Sequence, residues 1–112
     1  MKYFNEAAET MSRDELACVQ LKGLKASLAR VWTNPWSRAL LQKGGLDDPR
    51  DVTSLADLAK LPFLTKDDFR DAYPLKMSTV PQKELLEFHQ SSGSTGTPVV
   101  MAYTKNDLDQ WA

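Results

Sequence analysis

Residues 91–98 read SSGSTGTP: five hydroxyl side chains, two glycines and a closing proline, with no charge. Glycine permits positive φ and the close approach of a bulky group. Successive backbone N–H groups in such a turn can converge into an anion nest. Serine and threonine hydroxyls add donors without adding charge. A polyphosphate needs many donors that follow a mobile, highly charged group. Ser91, Ser92, Gly93, Ser94, Thr95, Gly96 and Thr97 supply such a set, and Pro98 pre-sets the backbone at the exit.

Other chemistries fit these residues less well. No lysine followed by serine or threonine completes a Walker A loop. The lipase-type elbow G-x-S-x-G is absent, because Ser92 stands where its first glycine belongs. His89 is the only histidine, and no orienting acid for a triad is identifiable. Cys18 has no histidine or metal-ligand partner near it in the sequence. No catalytic side chain and no metal site are assigned. A plain polar turn between two strands stays open as the alternative from spacing alone.

The elements around the loop must hold it. LLEFHQ (Leu85–Gln90) precedes it, with Leu86 and Phe88 alternating with Glu87 and His89, the period-two pattern of a half-buried strand. VVMAYT (99–104) follows as a second strand. Thr104 and Asp107 then open a helix carrying Leu108 and Trp111.

The first part of the chain reads as four helices. Ser12 and Glu15 form a capping box. Ala17, Leu21, Leu24, Leu28 and Val31 follow at spacings of four and three, one apolar stripe that reads as packing. Gly23 inside it costs about 1 kcal/mol relative to alanine. Asn34-Pro35 caps a second helix with Trp36, Ala39 and Leu40 on its apolar side, ended by Gly44-Gly45. Thr53 or Ser54 caps a third, with Leu55 and Leu58 inward and Pro62 as its stop. Thr65 and Asp68 box a fourth, with Phe69, Ala72 and Tyr73 on its buried side and Pro74 as its close.

The chain has 112 residues, 42% hydrophobic and 26% charged, as in an ordinary folded domain rather than a disordered one. Fourteen basic and fifteen acidic residues leave a formal net charge of -1, which offers no footprint for nucleic acid or an anionic membrane. One cysteine forms no internal disulfide, and no apolar run approaches a membrane span or a signal peptide. A cytoplasmic location is expected. The last helix reaches Ala112 without glycine, proline or a basic final turn. Two strands do not make a stable sheet alone. These residues therefore read as the beginning of a larger protein, whose open edges should drive self-association of the piece.

Residues 90–112, QSSGSTGTPVVMAYTKNDLDQWA, strongly resemble the phosphate-loop region of adenylate-forming enzymes, specifically the phenylacetate–coenzyme A ligase family. That family shows a similar S-S-G-[ST]-T-G-x-P loop, then a hydrophobic strand ending in Tyr-Thr, then a helix with Asp-Leu and a tryptophan. Upstream, LPFLTKDDFRDAYP (61–74), SLADLAKLP (54–62) and VPQKELLEFHQSSG (80–93) are also similar to it. The loop alone is moderately specific; its combination with the LPF-x-x-KDD segment is much more so.

The resemblance implies an α+β piece of a larger α/β enzyme: a helical N-terminal subdomain (1–80), then the start of an ATP-binding domain (81–112). It implies activation of an aryl acid such as phenylacetate by ATP and Mg²⁺, then transfer to coenzyme A, as in phenylacetate catabolism. Residues 91–97 would hold the β- and γ-phosphates. Thr97 stands where many relatives carry lysine, so charge neutralisation would fall to Mg²⁺ or to residues beyond Ala112. The adenine, acyl and catalytic lysine segments would also lie there, so the chain alone should be inactive. The competing expectation is a non-enzymatic helical docking module, or a remnant that keeps the loop.

Overall fold

The structure, a computed structural model, describes residues 1–91 and 96–111. A one-turn helix, α1 (Glu6–Glu9), opens it, capped where the Asn5 side chain accepts from the Ala8 N–H at 3.1 Å. The sequence reading did not anticipate it, because four residues carry no apolar period. Helix α2 (Arg13–Trp32) starts at the expected capping box: Ser12 accepts from the Glu15 N–H at 3.2 Å, and the Ser12 N–H donates to the Glu15 carboxylate at 2.8 Å. These bonds also hold the Glu15 carboxyl below its ordinary pKa, the Ser12 N–H most of all.

Asn34 caps helix α3 (Pro35–Lys43) by accepting from the Ser37 N–H at 2.8 Å. Gly44 and Gly45 end it, Gly45 at φ +102°. A 3-10 turn that the sequence does not announce, Pro49–Asp51, comes next, and the third expected helix is a tighter 3-10 turn, Leu55–Lys60. Asp57 explains the second of these. Its carboxylate accepts from the Thr53 and Ser54 N–H groups at 2.8 and 3.1 Å and pairs with Lys60 at 2.7 Å. The Lys60 ammonium, then those N–H groups, hold its carboxyl far below the usual range. Pro62 prevents further winding. Helix α4 (Lys66–Asp71) begins at the Thr65–Asp68 box, as expected.

Strand β1 (Leu85–Gln90) pairs antiparallel with β2 (Val100–Thr104), Gln90 opposite Val100, with a shift in register between Leu85 and Glu87. Helix α5 (Lys105–Trp111) follows β2 directly, boxed by Thr104 and Asp107.

The core lies wholly in the helical part. Leu28, Leu46 and Val52 are buried, and Leu24, Val31, Trp32, Leu41 and Leu61 pack around them. The α2 stripe is thus packing, as its spacing predicts. Several inward assignments fail. Leu58, Ala39 and Tyr73 are exposed, while polar Asp57 and Ser37 are buried. At Asp57 capping chemistry, not apolar period, sets which side of the short helix turns inward. Among the described residues the ribbon and α5 bury nothing fully. Leu86 and Phe88, expected on a half-buried face, are 58% and 51% exposed. The Cα radius of gyration is 16.4 Å, against about 13 Å for a compact domain of this length.

Asn34 joins the two parts. Besides capping α3, its buried amide donates to the carbonyls of Lys76 and Ser78 at 2.7 and 2.8 Å. This ties the segment that leads into β1 to the helical body.

Asn34→Ala should lower unfolding free energy by roughly 2–4 kcal/mol, one cap plus two stranded carbonyls. Asn34→Asp should be no better, since it keeps the cap but turns a carboxylate oxygen toward those carbonyls. Urea denaturation of both variants checks this; a near-neutral aspartate would show that only the cap matters.

The helix glycines should separate in thermal melts. Gly23 has nothing within 4 Å of an added Cβ, so Gly23→Ala should stabilise by about 1 kcal/mol. At Gly44 an added Cβ would lie 2.6 Å from Pro62 Cγ, so Gly44→Ala should cost about 1–3 kcal/mol. Equal melting shifts would reject the close approach.

Candidate functional site

The site is the turn between β1 and β2. Alternate residues opposite each other in an antiparallel ladder exchange two backbone hydrogen bonds. The last such position is Ser91 opposite Val99. The Ser91 N–H donates to the Val99 carbonyl at 2.9 Å. The return bond is different: the Val99 N–H donates to the Ser91 hydroxyl oxygen, also at 2.9 Å. The second strand thus begins its regular pairing at Val100, one residue later than the sequence reading has it.

Of the seven expected phosphate-binding residues, Ser91, Gly96 and Thr97 are described; Ser92, Gly93, Ser94 and Thr95 lie outside the described residues. Ser91 stands at the neck with an exposed side chain and its oxygen engaged by Val99. Gly96 adopts φ +126°, a conformation that L side chains rarely take. No heavy atom of the described residues lies within 4 Å of an added Cβ there. Thr97 is exposed, and Pro98 is half-buried at the exit. Among the described residues, Ser91 and Thr97 contribute hydroxyls to the turn and Gly96 an open backbone. Among the described residues no group of three or more histidine, cysteine, aspartate or glutamate side chains could cage a metal ion.

The ribbon beneath the loop carries a ring cluster. His89 meets Tyr103 edge-on at 5.0 Å between centroids and Trp111 at 5.8 Å, and Tyr103 lies 5.6 Å from Trp111. This packs α5 onto β2. His89 also pairs with Glu87 at 2.9 Å. The sequence reading found no acid for this histidine, although Glu87 two residues away on a strand shares its face. Both side chains are about half exposed and serve the ribbon surface. Cys18 is an exposed thiol on α2.

Between the ribbon and the helical body lies a cleft of about 450 Å³, walled by Arg30, Phe69, Met77, Leu85, Val100 and Asp107. Its ribbon wall runs along β2 from Val100 to Thr104. No helix among the described residues is long and apolar enough to cross a membrane.

No family model matches the chain. Curated relatives do. It is 45% identical over 108 residues to the phenylacetate-coenzyme A ligase of Aromatoleum evansii, covering 96% of this chain and 24% of that protein. Against the enzyme of the same name from Pseudomonas putida it is 47% identical over 105 residues, covering 93% of this chain and 24% of the relative. The Escherichia coli (strain K12) phenylacetate-coenzyme A ligase is 43% identical over 105 residues, with the same coverages. This chain therefore spans 24% of the length of each of these relatives.

Among solved structures, a 2-hydroxyisobutyryl-CoA ligase in complex with 2-HIB-AMP and CoA matches with TM-score 0.85 and 28% identity, over 96% of this chain and 24% of that one. An open conformation of the same ligase matches with TM-score 0.82 and 26% identity. The resemblance to the phenylacetate–coenzyme A ligase family is borne out, and the α+β arrangement is a partial piece of the larger α/β fold of such ligases.

Proposed function

We propose that this chain is the N-terminal part of an ATP-dependent aryl acid–CoA ligase, acting on phenylacetate or a related acid in the cytoplasm. Identity of 43–47% across almost the whole chain to proteins named for that activity carries the reading. Residues 1–80 form its helical subdomain and 81–112 begin its ATP-binding domain. In such a ligase the carboxylate attacks the α-phosphorus of ATP, pyrophosphate leaves, and the coenzyme A thiol then displaces AMP to give the thioester.

Within that reaction, this chain binds and orients phosphate. Ser91, Ser92, Gly93, Ser94, Thr95, Gly96 and Thr97 cradle the β- and γ-phosphates with hydroxyl and N–H donors. The open backbone at Gly96 and the exposed Thr97 support the reading. The loop itself brings no cation. Mg²⁺ suits this arrangement, since it is commonly held by phosphate oxygens and few protein ligands. Positioning supplies much of the rate enhancement in such reactions, and 112 residues hold only part of the machinery. The isolated chain is therefore inactive.

The test compares this chain with the full-length protein. With phenylacetate, ATP and coenzyme A the chain should give no thioester, and the full-length protein should give it. In the full-length protein, Thr95→Ala should slow adenylation by about 2–4 kcal/mol in barrier, the effect of losing one preorganised donor. Gly96→Val should slow it further, by blocking both the backbone conformation and the approach of phosphate. Unchanged adenylation in Thr95→Ala, Ser94→Ala and their double variant rejects the cradle. It leaves a plain turn, or a docking module, as the role of this region.

The exposed ribbon generates a separate expectation. Leu86, Phe88, Met101 and Trp111 are all more than 40% exposed, and the two-stranded sheet leaves one open edge on each strand. The chain should self-associate, with Phe88→Glu shifting it to monomer in sedimentation velocity. A clean monomer for the unaltered chain at high concentration rejects this.

A further inference from the structure

We infer that β1 is a self-complementary edge: a second copy of this chain adds to it antiparallel, with Phe88 opposite Phe88 of the second copy on the two-fold axis. This pairing does not depend on the ligase reading. It fixes which of the two open edges associates, and in what register.

The ladder settles which main-chain groups are free. The Ser91 N–H donates to the Val99 carbonyl at 2.9 Å. Alternation along an antiparallel strand then turns the main-chain groups of Glu87 and His89 toward β2 as well, and those of Phe88 and Gln90 away from it. The shift in register lies before Glu87, outside these residues. The two edges differ in access. β1 is exposed from Leu86 to Gln90, whereas β2 is half-buried at Val100 and from Ala102 to Thr104. Val100, Ala102 and Thr104 line the cleft against the helical body, and the Thr104 N–H is already taken by Asp107. The reachable edge is therefore β1.

Pairing about Phe88 matches the side chains on both faces. On one face Phe88 meets its own copy, with Leu86 beside it; both are more than half exposed in the single chain. On the other face Glu87 stands opposite His89 of the second copy, and His89 opposite Glu87 of the second copy. These are the positions without main-chain bonds, where side chains come closest, and a carboxylate facing a basic ring there favours the sheet. Within one chain His89 Nε2 lies 2.9 Å from Glu87 Oε2. The other ring nitrogen and the other carboxylate oxygen have no partner among the described residues, so each can serve the second copy. Two-fold symmetry makes the contact twice. Moving the axis one residue, to His89, would set histidine against histidine and lose both pairs.

The test reads sedimentation and amide exchange of this chain at low and high concentration. Exchange at Phe88 should slow about tenfold once nine-tenths of the chain is dimeric, because it then waits for the monomer. Exchange at Ala102, on the β2 edge, should not change. His89→Glu sets carboxylate against carboxylate and should give monomer. Adding Glu87→Lys to it restores opposite charges and should restore the dimer. The ring contacts of His89 are missing from both variants, so recovery sets their loss aside as the cause. A monomer at high concentration overturns the pairing. So does concentration-dependent protection at Ala102 in place of Phe88, or a double variant as monomeric as His89→Glu alone. Protection of Phe88 at every concentration overturns it too, since another part of the same molecule would then cover the edge.

Discussion

Asn34 is the side chain on which the arrangement of this chain turns. One oxygen caps α3, and one nitrogen gathers two carbonyls more than forty residues away. A buried amide left without partners costs more than its bonds return when made. The segment carrying Lys76 and Ser78 is therefore held where that amide can reach it. Everything after it, the approach to β1 and then the ribbon and loop, is hung from this point on the helical body.

The two parts differ in how they are stabilised. The helical part has a small core around Leu28, Leu46 and Val52, the last only 1% exposed, and its turns are fixed by capping carboxylates. Asp57 and Asp48 both sit under local donors that keep them ionised. The Arg50 guanidinium first, and then its N–H, bring the Asp48 carboxyl down to about 2. The ribbon has no such core. Its stability comes from cross-strand bonds and from the His89, Tyr103 and Trp111 rings, while Leu86 and Phe88 face water. Apolar side chains left on one face of a sheet normally meet a second layer, and the solved ligases that share this fold are about four times longer than the matched part.

The turn between β1 and β2 is framed by two ends of different make. The ladder supplies one end, closed by the Ser91–Val99 exchange. Gly96 and Pro98 supply the other: glycine takes the left-handed turn, and proline fixes the direction of re-entry. This division of labour separates the hydroxyls by role. Ser91 accepts from Val99 at the neck, whereas Thr97 is exposed on the returning side. Counting hydroxyls alone treats them as equivalent donors.

Local chemistry made much of this chain legible from sequence. The boxes at Ser12, Thr65 and Thr104, the Asn34-Pro35 start and the glycine stop after α3 each depend on contacts within four residues. Their side chains meet their partners whatever the rest of the fold does. The α2 stripe was legible for a related reason, since a twenty-residue helix repeats its period often enough to fix the buried side. The family resemblance in the loop and in residues 61–74 was equally a matter of ordered residues. Tertiary structure decided what depends on distant partners. Nothing in the sequence tells that the Asn34 amide reaches Lys76 and Ser78. The burial of Asp57 over Leu58, and the tight 3-10 turn, depend on a carboxylate competing with a short apolar pattern. The exposure of Leu86 and Phe88 reflects the lack of a covering layer, which a strand's alternation cannot report. The Ser91 hydroxyl standing in for a carbonyl became visible only with the two strands in register, because register decides which residue faces Val99.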